Sequence, residues 1–214
     1  MELPTFEYEQ QYWQAGIDLI AGVDEVGMGA LAGPVTAAAV IWNQKISNDK
    51  IQNSNIAIRD SKTMSEKQRN EAAEWIYEHA TAWAVGEASV EEVDKLNIRQ
   101  ASHLAMRRAI DALQKAPEML LIDGRPAQVH PTIPAVNIID GDALVFSIAA
   151  ASIVAKVHRD AIMVEIDKKF PMYGLSGNKG YGAKIHMDAL KEYGACEHHR
   201  TSYAPVAAVL GLII

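Results

Sequence analysis

The chain has 214 residues, 49% hydrophobic and 22% charged, with a formal net charge of -7 at pH 7. That composition supports a sizeable core and excludes an intrinsically disordered chain, and its acidity excludes a protein that coats nucleic acid non-specifically. No apolar run approaches the roughly 20 residues that span a bilayer, and the single cysteine, Cys196, excludes an internal disulfide.

Glu2, Glu7 and Glu9 stand where a secretory leader would carry bases. The expectation is a cytoplasmic, monomeric protein of one domain over residues 1–214, without membrane contact and with a helical C-terminal extension from about residue 170. Charge is uneven: residues 143–200 carry eight basic against six acidic residues and four histidines, so the acidic excess lies elsewhere.

Gly16 to Val23 and Val35 to Ile41 read as buried strands, joined by the small-residue stretch Gly27 to Pro34. Ser65-Glu66-Lys67-Gln68 is a capping-box pattern that opens a helix to about His79. A strand follows over Trp83 to Ala88. A second capping box, Ser89 to Glu92, opens a short helix, and a longer one runs from near Asn97 to about Leu113. Met119 to Ile122 is a short strand ending in Asp123-Gly124, and Ala135 to Ile139 another. Leu144 to Lys169 is a long Ala-rich helix, Gly174 to Gly182 a glycine-rich loop, and Ala183 to Tyr193 a last helix. Strands concentrated in the first half and helices in the second predict an α/β mixed sheet flanked by helices.

Three sites on this outline carry adjacent chemistry. Ile20 to Val23 ends in Asp24-Glu25, followed at once by Gly27-Met28-Gly29. Met119 to Ile122 ends the same way, in Asp123, and Asp142 sits where the chain enters the long helix. Adjacent acids repel and are costly to desolvate unless a cation neutralises them. Hard divalent ions such as Mg2+ or Mn2+ want oxygen ligands of this kind. Four carboxylates at one rim could hold two ions roughly 3.5–4 Å apart, the arrangement used for phosphodiester hydrolysis. The glycines let a backbone approach a sugar or phosphate closely.

The ordered motifs carry a resemblance over some 180 residues. Gly22-Val23-Asp24-Glu25-Val26-Gly27-x-Gly29-x-Leu31-Ala32-Gly33-Pro34 resembles the opening motif of bacterial ribonuclease HII. Asp60-Ser61-Lys62, the run Ala88 to Ile98, Ile122-Asp123-Gly124, Gly141-Asp142, Ala149 to Val157, Gly177 to Gly182 and His199-Arg200 follow in that family's order.

The resemblance implies a ribonuclease H-like fold and an endoribonuclease acting on RNA–DNA hybrids. It also implies cutting on the 5′ side of single ribonucleotides embedded in duplex DNA, with two metal ions. Asp24, Glu25, Asp123 and Asp142 would be the ligands and catalytic acids. The backbone of Gly27, Met28 and Gly29 would read the 2′-hydroxyl, Lys62 would neutralise a phosphate, and Tyr181 would stack on the following sugar.

Two positions depart from the family pattern: Met28 replaces an arginine and Ala30 a proline. Methionine neither donates a hydrogen bond nor pairs with phosphate, so weakened substrate binding is expected. Two alternatives share the acids: a hybrid-binding protein with impaired turnover, and a ribonuclease H-like DNA nuclease lacking 2′-hydroxyl recognition. His186 reads as a surface or capping residue, Cys196 as incidental and the four tryptophans as packing residues.

Overall fold

The capping chemistry and apolar runs carry through to a computed structural model, which describes residues 3–44, 56–125 and 127–212. In chain order come α1 (Glu7–Gln14), β1 (Ile20–Val26), β2 (Val35–Ile41), α2 (Glu66–His79), β3 (Ala82–Ala88), α3 (Val90–Leu96) and α4 (Ile98–Asp111). There follow β4 (Met119–Asp123), β5 (Ala135–Ile138), α5 (Gly141–Leu144), α6 (Phe146–Lys169), α7 (Leu175–Asn178), α8 (Lys184–Tyr193) and α9 (Ala204–Val209). Both capping boxes form. The Ser65 hydroxyl accepts from the Gln68 amide while Gln68 Oε1 accepts from the Ser65 amide, and Ser89 and Glu92 repeat the exchange. Each satisfies two donors that a helix start leaves orphaned.

The strands form one mixed sheet in the order β3-β2-β1-β4-β5. The β1–β2 and β2–β3 pairs are antiparallel, whereas β1–β4 and β4–β5 are parallel. Helices cover both faces, which is why β2 reads as an unbroken run of buried Val, Thr, Ala and Ile instead of alternating. On one face α6 packs over Ile20, Ala38, Val40 and Leu121. On the other, α4 packs over Ala21, Val23, Ala39 and Ile122. At Gly22 the α6 backbone comes so close that a Cβ would lie 2.2 Å from the Ser147 carbonyl carbon. The strand that carries the acids is therefore pressed directly onto the helix that follows Asp142.

Several features differ from the sequence reading: a short helix, α7, forms inside the expected glycine-rich loop, and α9 follows the helix expected to be the last. Strand β1 starts at Ile20, not Gly16, and continues through Asp24 and Glu25, which pair with Ala38 and Ala37 of β2. The acids thus lie within the ladder, because pairing with β2 continues past the end of the apolar run to Val26. Helix α1 has no clean apolar stripe: Trp13 is buried, but so is Glu9, whose carboxylate accepts from the Ser147 amide at 2.9 Å. That contact spans 138 residues, and local periodicity cannot reveal it. The tryptophans mostly pack, Trp42 against Trp75 with ring centroids 5.5 Å apart, although Trp83 is 39% exposed.

Candidate active site

The parallel strands β1 and β4 run to the same edge of the sheet. Val23 is level with Ile122, and the next residues along the two strands are Asp24 and Asp123. Beyond β5, Asp140 adopts a left-handed φ of 55°, and the chain turns into α5, whose first turn holds Asp142. The Gly141 amide donates to Asp123 Oδ1 at 2.7 Å, latching that turn to the end of β4. Residues from three separate elements meet at one rim.

Strand alternation sends the two neighbouring acids to opposite faces. Asp24 is buried on the α6 side, where the Ser152 hydroxyl bonds to it and lies 3.0 Å from the Ser61 hydroxyl. Ser61 belongs to the Asp60-Ser61-Lys62 turn, in which Asp60 Oδ1 accepts from the Lys62 amide at 2.9 Å. Glu25 lines a cavity on the α4 side together with Asp123.

Burial, then the charges of Glu25 and Asp123, push the Asp24 carboxyl well above the usual carboxylate range. Burial and the Asp123 charge raise Glu25 to about 7. Asp123 is raised too, by burial and then by Asp142. The cation among them is Lys62, whose Nζ donates to Asp142 Oδ2 at 3.0 Å. Burial lowers the affinity of that ammonium for its proton, but the Asp142 contact outweighs it and the net shift is upward.

Four mutually repelling carboxylates with one lysine form a hard oxygen-donor set with unmet negative charge, which fits divalent cations. Among the described residues no trio of acidic, His or Cys side chains is already closed around a single ligation point.

The sequence model described as ribonuclease HII matches residues 21–206. The chain belongs to the ribonuclease HII family. It is 46% identical over 211 residues to the ribonuclease HII of Vibrio vulnificus strain YJ016, covering 99% of this chain and 96% of that one. Its fold is similar to that of the ribonuclease H2 from Pyrococcus horikoshii OT3, with a TM-score of 0.76 at 20% identity over 91% of this chain and 98% of that one. It is also similar to the Bst ribonuclease HIII crystallised in complex with Mn2+, with a TM-score of 0.68 at 18% identity over 94% of this chain and 71% of that one. The protein is accordingly a metal-dependent endoribonuclease of RNA–DNA hybrids, on a ribonuclease H-like mixed sheet flanked by helices. Among the described residues no helix is long and apolar enough to cross a membrane.

The glycine turn lies next to the acids and is held by two buried arginines, Arg159 and Arg200, of which the sequence motifs include only Arg200. Gly27 has φ +93°, and a Cβ there would lie 2.2 Å from Arg159 Nε. Arg159 donates to the carbonyls of Pro34, Ala32 and Lys179 at 2.9, 3.0 and 2.8 Å. Arg200 donates to Gly33 O at 2.8 and 3.0 Å and to Met28 O at 3.1 Å, and the Tyr203 hydroxyl donates to Met28 O as well. Among the described residues neither guanidinium is ion-paired to a carboxylate; both donate to backbone carbonyls of the two irregular loops.

The same clamps bring in the Gly177–Gly182 loop. The Leu31 amide donates to Gly180 O at 2.8 Å, and Arg159 lies 5.6 Å from the centre of the Tyr181 ring. Tyr181 is 37% exposed beside Gly29. No hydrogen bond among the described residues uses the Met28 or Gly29 amides. All nine sequence-predicted site residues therefore fall in one region: Lys62 on Asp142, Met28 with Glu25 and Asp123 around the cavity, and Tyr181 beside the turn.

His186 corrects its sequence reading. It is fully buried, with Nδ1 2.9 Å from Tyr181 O and Nε2 3.0 Å from His199 Nε2. Burial, then the His186 neighbour, lowers His199 to about 4, so the pair is neutral at pH 7 and shares one N–H. Cys196 is not incidental either, since its Sγ lies 3.2 Å from His199 Nδ1. This cluster holds α8 and the Tyr181 loop in place. The signal in sequence was only the His-Arg pair, which gives no hint of a partner 13 residues away.

Proposed function

We propose that Asp24, Glu25, Asp123 and Asp142 bind two divalent ions, Mg2+ or Mn2+, and cut the strand on the 5′ side of a ribonucleotide. Single ribonucleotides embedded in duplex DNA are substrates as well as long hybrids. The observation that carries this reading is the clustering of four carboxylates from three elements, with Lys62 the one cation among the described residues that is ion-paired to them. Ions held there supply an activated water and neutralise charge on the leaving oxygen.

The chain's own residues do the rest. Arg159 and Arg200 hold the glycine turn rigid, so that the Met28 and Gly29 amides face the 2′-hydroxyl as preorganised donors. Tyr181 supports the sugar of the following nucleotide. Lys62 exchanges Asp142 for a phosphate oxygen of the substrate, which frees Asp142 as a ligand. The P–O3′ bond breaks, leaving a 3′-hydroxyl and a 5′-phosphate.

The test is a labelled DNA duplex with one ribonucleotide, incubated with either ion. A single nick 5′ of the ribonucleotide is expected, and an all-DNA duplex stays intact. No nick with either metal, or comparable cutting of DNA, overturns the reading.

Met28 gives a second expected outcome. Its carbonyl is held by Arg200 and Tyr203, and its side chain is exposed to the cavity beside Glu25. Met28→Arg leaves those carbonyl contacts in place and adds a guanidinium toward the substrate. A charge-assisted hydrogen bond is worth about 1.5–3 kcal/mol, so kcat/KM on the single-ribonucleotide duplex rises about tenfold or more. An unchanged kcat/KM rejects the idea that position 28 limits binding.

A further inference from the structure

On the α4 side of the rim lies a cavity of about 960 Å³, lined by Glu25, Met28, Arg99, His103, Asp123 and Arg125. One wall is the sheet edge with its two acids. The facing wall is α4, where Arg99 and His103 lie one turn apart and so share a face. Arg125 lies on the segment leaving β4, two residues past Asp123.

Both arginines are exposed, and among the described residues neither is ion-paired, whereas Arg69 and Arg108 are paired with Asp160 and Glu92. These two exposed guanidinium groups edge the cavity that Glu25 and Asp123 line. Their ordinary counter-ions are oxyanions, which a guanidinium grips through two parallel N–H donors.

The start of α4 sets the position of Arg99. Asn97 takes a positive φ of 71°, and its Oδ1 accepts from the Arg99 and Gln100 amides at 3.1 and 3.2 Å. Burial and the Arg99 charge hold the His103 imidazole below its usual range, so that ring is uncharged at neutral pH and the arginines carry the positive charge.

The apolar side chain of Met28 lines the same cavity and brings no charge to it. We infer that Arg99 and Arg125 bind a backbone phosphate of the nucleic-acid substrate adjoining the scissile one, restoring on α4 and the β4 exit the charge that Met28 lacks. The inference rests on the proposed function, since the acids must hold the reacting phosphate for a neighbouring phosphate to reach this cavity.

The test compares the full-length wild type with the Arg99→Ala/Arg125→Ala double variant on a duplex with one ribonucleotide. KM rises about tenfold, kcat stays within twofold, and the slope of log Kd against log salt falls by about one per arginine removed. The Arg99→Lys/Arg125→Lys variant recovers most of the slope, which a merely structural defect would not allow.

Methylphosphonates walked along the ribonucleotide strand and, separately, along its complement locate the contact. One neutral linkage weakens the wild type and leaves the double variant unaffected, and the strand that carries it is the source of the phosphate. Unchanged KM and salt slope, or a fall in kcat alone, overturns the inference. A wild type that binds hybrids without cutting them overturns the proposed function, while the salt slopes still decide this one.

Discussion

Asp24→Asn lowers kcat by about a thousandfold or more, equivalent to roughly 4 kcal/mol of lost transition-state stabilisation, yet raises the Tm of the metal-free protein at pH 8. Both effects have one cause. Asp24 is buried against Glu25 and Asp123, where its charge is costly unless a cation neutralises it. The folded carboxyl binds its proton more tightly than the unfolded one. The stability linked to it is therefore complete below the unfolded value near 4 and is lost as pH rises through the folded value.

Glu25 behaves alike, with a folded value of about 7 against an ordinary 4.5. The metal-free wild type thus loses stability between about pH 4.5 and 7 and stays weakened above. Asparagine retains an oxygen for the Glu25 amide and Ser152 hydroxyl while removing the charge. Its stability profile flattens, and its Tm above pH 7 exceeds that of wild type by at least a few degrees. Adding Mg2+ or Mn2+ raises the wild-type Tm and moves the variant less. Calorimetry in EDTA and in metal, beside the cleavage assay, checks all three; a variant within tenfold of wild-type kcat, or a lower metal-free Tm, defeats the assignment.

Gly22→Ala carries the largest expected stability effect. Its Cβ would sit 2.2 Å from the Ser147 carbonyl carbon and 2.4 Å from the Ile148 amide nitrogen, both backbone atoms in the first turn of α6. Backbone cannot rotate away as a side chain can, so α6 must slide off β1. Overpacking of this kind costs about 3 kcal/mol or more, which lowers Tm by roughly 6–12 °C for a chain of this size. The displacement also carries Asp142 away from Asp24, because α5 and α6 move together. Activity at 15 °C, where the variant is still folded, falls as well. Gly177→Ala is the control: nothing lies within 4 Å of its Cβ, and its Tm changes little. A Gly22→Ala protein that melts within 2 °C of wild type would show that the strand and helix have room to spare.

Local chemistry was legible in the sequence wherever both partners lie within one turn. The capping boxes at Ser65 and Ser89 needed only a residue three positions on, and both form. Acid after apolar run marks Asp24 and Asp123, because carboxylates end the apolar run where a buried strand nears the rim of the sheet. Even so, the end of β1 was misjudged by the same logic: pairing with β2 carries the ladder past Asp24 to Val26.

His186 illustrates what periodicity misses. On α8 it reads as one more polar residue, and its burial depends on His199, which arrives from outside that helix. Arg159 and Arg200 were likewise invisible as clamps. Their acceptors are carbonyls as many as 127 and 172 residues away, and a carbonyl has no sequence signature.

By itself, then, the sequence determined which residue types the candidate site can draw on: four carboxylates, a glycine turn, a lysine and the methionine between the glycines. Only the tertiary structure decided how they meet. The parallel register of β1 and β4 sets Asp24 level with Asp123, and strand alternation sends Glu25 into a cavity edged by Arg99 of α4 and by Arg125 past the end of β4. The reason is physical. Side-chain type is written residue by residue, whereas convergence depends on strand register and helix packing, which many weak contacts distant in sequence settle together.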